Sequence, residues 1–123
     1  MARLREETLE RFEDYGDRIL ALAEVLEKGG RSKRLVDQLI GSGTSAGANA
    51  FEAAEAMSKA DFIKCLCITA KELYETVYWI RLIMRRRYVA EKRLDALLKE
   101  TRELLAIVKV LIARAKSRKS SAG

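Results

Sequence analysis

No proline occurs anywhere in the 123 residues, and no other feature narrows the possible folds as much. Proline fixes φ, shapes tight loops and ends helices, so a chain without it is free to run in long unbroken helices. Seven glycines are also too few for the regularly spaced turns of an all-β chain. The expected class is all-α, and the apolar spacing agrees. Phe12, Tyr15, Ile19, Leu22, Ala23 and Leu26 recur at three- and four-residue steps, one stripe of a first helix over about 4–28 that Gly29-Gly30 stops.

Ser32 is placed to cap a second helix, about 32–56. Its stripe of Val36, Leu39, Ile40, Gly43, Ala46, Gly47, Ala50 and Ala54 runs straight through the segment GSGTSAGANA. Small residues there predict close approach by a neighbouring helix, although each internal Gly costs about 1 kcal/mol against Ala. Ser58 and Asp61 form a capping box for a third helix, about 59–87, with Met57 and Phe62 in the positions of a hydrophobic staple. That helix holds 16 apolar residues among the 23 from Phe62 to Met84, more than one stripe requires. After a weak break at Tyr88–Ala90, a stripe from Leu94 to Ile112 marks a fourth helix, about 90–116, and 117–123 reads as a basic tail. Four such helices with short connections predict a single domain, an all-α antiparallel up-down-up-down four-helix bundle.

Composition removes whole classes of chemistry. There is no histidine, which excludes His-dependent nucleophilic catalysis, His-ligated metals and His pH switching. Cys65 and Cys67 lie two apart, too divergent on a helix to bond each other; both are expected as buried structural thiols in a reducing, cytoplasmic setting. The N-terminal segment is acidic and amphipathic, unlike a signal peptide, and no stretch is long and apolar enough for a membrane span. The i, i+3 pairs Glu52/Glu55 and Glu72/Glu75 lack the histidines of carboxylate-bridged metal bundles, and no glycine-rich phosphate loop is present. The expectation is no enzyme, no metal and no cofactor.

One block of residues is more specific. Leu39-Ile40-Gly41-Ser42-Gly43-Thr44-Ser45-Ala46-Gly47-Ala48-Asn49, followed by Glu52, Ser58, Asp61-Phe62-Ile63, Leu66, Ala70, Glu72, Glu75 and Tyr78-Trp79, resembles the bacterial four-helix-bundle family encoded by intervening sequences of large-subunit ribosomal RNA genes. Relatives of that family act as the accessory variability protein of diversity-generating retroelements. The resemblance covers helices two and three and extends to helices one and four by pattern. It departs at Gly41, where the family commonly places Arg. It implies a homopentameric barrel, no catalysis, and nucleic-acid association beside a reverse transcriptase in the retroelement relatives.

The residues themselves offer two candidate surfaces. Ser42, Ser45, Asn49 and Glu52 are predicted to form a polar row opposite the apolar stripe of helix two, bonding across a helix or subunit contact. The surplus apolar surface of helix three, with Tyr74, Tyr78 and Trp79, predicts self-association. Arg81 falls angularly among apolar positions of that helix, so it is expected to need Glu52 or Glu55 of its own or a neighbouring chain as a partner.

Charge supplies the second surface. Net charge is +6, but residues 1–30 carry −3 and residues 91–123 carry +5. Up-down-up-down topology brings the first and third connections to one end, gathering Arg31, Lys33 and Arg34 beside Arg85, Arg86, Arg87, Lys92 and Arg93. Repeated round a ring, they form a positive annulus suited to the backbone of RNA or DNA. The basic tail, with Arg114, Lys116, Arg118 and Lys119, is expected at the opposite end. No aromatic stacking platform is expected beside either patch, so recognition would be by backbone and shape. The competing reading is a protein-interaction scaffold whose charge keeps it in solution.

Overall fold

Ser32 and Ser58 start two of the helices by the same device. Each side-chain oxygen accepts a backbone N–H three residues on, from Leu35 at 3.3 Å and from Asp61 at 3.1 Å. In the computed structural model, which describes residues 4–118, four helices follow in order: α1 Glu6–Lys28, α2 Lys33–Ala54, α3 Lys59–Arg86 and α4 Glu91–Ser117. Among the described residues there is no strand. Gly30, at φ 70°, turns the chain out of α1. Met57 is 95% exposed, so the expected staple against Phe62 does not form and the serine cap alone fixes the entry to α3. Residues 119–123 of the expected tail, with Lys119, lie outside the described residues.

The helices pack in chain order, α1 on α2, α2 on α3, α3 on α4, and α1 against α4 is the sparsest of the four seams that close the bundle. Close packing of α1 on α2 rests on Gly43: a Cβ there would sit 2.7 Å from two carbons of Ile19. Large side chains of α1, Phe12, Tyr15, Ile19, Leu22 and Leu26, fill the core against the small residues Ala46, Ala50 and Ala53 of α2. The α1–α4 seam is closed by polar groups. Arg11 donates to Glu100, with Nε at 3.1 Å from one carboxylate oxygen, and reaches Glu103 at 3.2 Å. The Glu100 hydrogen bond is the main influence raising the already high Arg11 pKa, so the guanidinium stays charged at any working pH.

A layer of hydroxyls crosses the bundle at mid-height. Tyr15 of α1, Ser42 of α2, Thr76 of α3 and Thr101 of α4 are all buried. Tyr15 Oη lies 2.6 Å from Thr101 Oγ1, and Thr101 donates to the Leu97 carbonyl at 2.8 Å. Thr76 Oγ1 lies 2.9 Å from Ser42 Oγ and 2.8 Å from the Glu72 carbonyl. Every buried side-chain polar atom among the described residues is partnered, as desolvation demands. Ser42 therefore does not belong to a polar row opposite the apolar stripe; it is 2% exposed and sits within the core face of its own helix. Burial of Tyr15 pushes its phenol well above the ordinary 10.0.

Candidate nucleic-acid interface

The two connections at one end are tied together by Tyr88. α3 ends on Arg87, whose backbone is left-handed at φ 55° and ψ 36°. That turn lets the N–H groups of Arg87 and Tyr88 reach the Met84 and Ile83 carbonyls at 3.1 and 3.4 Å and swings Tyr88 back toward α2. The Arg31 guanidinium carbon then lies 4.0 Å from the centre of the Tyr88 ring, a cation–π contact between the first and third connections. Arg86 Nε donates to Tyr88 Oη at 3.3 Å. Glycine is the residue that suits this backbone, and an L-residue there costs about 1 kcal/mol.

All eight candidate cations at this end are exposed. Lys33 lies 3.4 Å from Asp37 on the open surface; among the described residues none of the other seven has a carboxylate within 4.0 Å. They fall into groups. Arg34 and Arg86 line a cleft with Trp79 and Tyr88. Arg85 and Arg87 line a second depression together with Arg81. Arg93 turns to the α1 side of the bundle, beside Arg18, and Lys92 stands exposed on the first turn of α4.

Several expectations change here. Tyr88 and Trp79 give the basic end the aromatic surface that sequence spacing did not show, because the weak break around Tyr88 carried no periodic signal to place it. Arg81 is exposed and joins this end, so it is not an unpaired charge among apolar groups. Its proposed partner Glu52 acts electrostatically on Cys65, 16 residues earlier on α3, about 24 Å away at 1.5 Å per residue. Glu55 lies at that same far end as the C-cap of α2. Neither pairs with Arg81 within the chain.

The self-association candidates divide likewise. Tyr74 and Tyr78, 52% and 58% exposed, lie with Val77, Arg81 and Arg85 along an outward face of α3. Trp79 turns from that face toward α2; its indole N–H donates to Glu75 at 3.1 Å. Ser45 and Asn49 are half-buried and engage each other, Asn49 Nδ2 donating to the Ser45 carbonyl at 2.9 Å, while Glu52 is exposed. Cys65 is buried, and burial is the first cause raising its thiol pKa. Cys67 is exposed, contrary to the expectation of two buried thiols. Burial, then Glu75, pushes the Glu72 carboxyl up. Among the described residues no three His, Cys, Asp or Glu side chains gather as a metal site, and no helix is long and apolar enough to cross a membrane.

Comparison with known proteins adds the lineage. No curated protein matches the chain. A crystal structure of a protein of unknown function from the S23 ribosomal protein family, from Bacteroides thetaiotaomicron, superposes with a TM-score of 0.82 at 31% identity, covering 85% of this chain and 97% of that one. The family model described as 23S rRNA-intervening sequence protein matches residues 7–110, which span nearly all of α1, all of α2 and α3 and most of α4. Together with the four-helix architecture, these matches show that the chain belongs to the 23S rRNA-intervening sequence protein family.

Proposed function

We propose that this chain is a non-enzymatic, homo-oligomeric scaffold that binds structured nucleic acid through its basic end. The observation that carries the reading is the set of seven exposed cations, drawn from two connections, with no carboxylate partner among the described residues. Arg31, Arg34 and Arg85 to Arg87 neutralise phosphates, while Tyr74, Tyr78 and the neighbouring outward face of α3 build the contact between copies. The resemblance adds a pentamer and a role as accessory to a reverse transcriptase. Cyclic repetition sums the end charges into one field, which favours a polyanion over isolated anions.

The exposed Tyr74 and Tyr78 also favour a second reading, a scaffold whose partner is another polypeptide. One experiment decides. Binding to a structured RNA and a matched DNA duplex is measured across a salt series, with the mass of the same sample determined against 13.9 kDa per chain. The nucleic-acid reading expects a multiple of that mass and a steep linear fall of log K with log salt. Reversing Arg34, Arg86 and Arg87 to Glu, none of which lines the Tyr74–Tyr78 face, removes the binding and leaves the assembly intact. Absence of binding even at low salt overturns the reading in favour of the polypeptide partner.

A further inference from the structure

The cleft between the first turns of α2 and the last turns of α3 has features that phosphate neutralisation does not use. Its volume is about 480 Å³, within the range of small-ligand sites. Trp79, Leu82 and Tyr88 line it and are half-buried, whereas Arg34, Gln38 and Arg86 line it and are exposed. The apolar groups thus lie deeper than the polar ones. Both aromatic rings are held before any ligand arrives. Trp79 is fixed by its bond to Glu75 and by an edge contact with Tyr78, centroids 4.9 Å apart. Tyr88 is fixed by Arg86 and by Arg31, which packs on the ring without lining the cleft.

A flat apolar ligand carrying an anion fits this arrangement, and in a bound polyanion that unit is a nucleotide whose base is not stacked in a helix. We propose that the cleft seats one unpaired nucleotide of the bound strand. Its base lies against Trp79, Leu82 and Tyr88, the Gln38 amide meets the base edge with both a donor and an acceptor, and Arg34 and Arg86 hold its phosphate. The inference rests on the nucleic-acid reading and deepens it: bulges and loops present such bases, and a continuous duplex does not.

Trp79 is the chain's single tryptophan and therefore reports on the cleft alone. Its fluorescence is titrated with an RNA hairpin carrying a one-nucleotide bulge, with the same hairpin fully paired, and with adenosine monophosphate, while anisotropy of labelled hairpins follows total binding. The bulged hairpin is expected to quench Trp79 and to bind about ten-fold tighter than the paired one. Tyr88→Ala abolishes that preference, and Tyr88→Phe, which keeps the ring, retains it. Equal binding of both hairpins without quenching overturns this inference and leaves the proposed function standing. Absence of all binding overturns both. Quenching by the free nucleotide at the concentrations at which the bulged hairpin acts overturns the strand-borne nucleotide in favour of a free one.

Discussion

Arg87 holds a left-handed backbone that glycine would adopt without strain. A charge kept at such a position is a pointer to its use at the basic end. Arg87→Gly is therefore expected to stabilise the fold by about 0.5–1 kcal/mol while weakening polyanion binding and lowering the salt slope by about one for each phosphate no longer neutralised. Chemical denaturation and a salt series on one preparation check both signs; a variant less stable than the parent contradicts the assignment of strain. At this scale the sequence was least legible. Ser42 looked like part of a polar row opposite the apolar stripe because its spacing matches Ser45 and Asn49, yet it lies on the core face, and from there it makes the expected bond across to another helix, at Thr76 of α3. Arg81 looked buried because its angular neighbours on α3 are apolar, but those neighbours include the exposed Tyr74 and Tyr78, so the arc as a whole faces outward. A single helix cannot say which of its apolar arcs a partner covers.

Among elements the reading was far sharper, since caps and periodicity are local. Each helix begins and ends within two residues of the limits that Ser32, Ser58, Gly29-Gly30 and the apolar stripes set. The segment GSGTSAGANA is helical throughout despite its glycines. Those glycines are not equivalent. At Gly43 a Cβ meets Ile19 near its branch point, where the side chain has little room to yield, whereas at Gly41 nothing lies within 4 Å. Gly43→Ala is expected to cost about 1–3 kcal/mol by overpacking, partly offset by about 1 kcal/mol of helix propensity. Gly41→Ala should give the propensity gain alone, about 0.5–1 kcal/mol. Urea midpoints at unchanged m-value measure the contrast; equal shifts for the two variants would mean that α1 does not approach α2 at Gly43.

For the molecule as a whole, parity sufficed to place the basic end: with four antiparallel helices, the first and third connections must share it. The hydroxyl layer was not legible, because each member arises on a different helix and only packing brings them together. Its pH signature follows from Tyr15. The folded chain keeps the phenolic proton at pH values where the unfolded chain has released it, so above pH 10 the unfolded state binds fewer protons and stability falls as pH rises, by up to about 1.4 kcal/mol per unit from this group. Tyr15→Phe should remove that decline, read as the difference between the two chains in denaturation across alkaline pH; Thr101 keeps its bond to Leu97 in the variant. The α1–α4 seam carries a mechanical consequence. Joined there by the sparsest packing, the bundle opens under load like a book whose spine is the α2–α3 contact. The Trp79 cleft lies along that spine, so it is the part of the molecule that such an opening disturbs last.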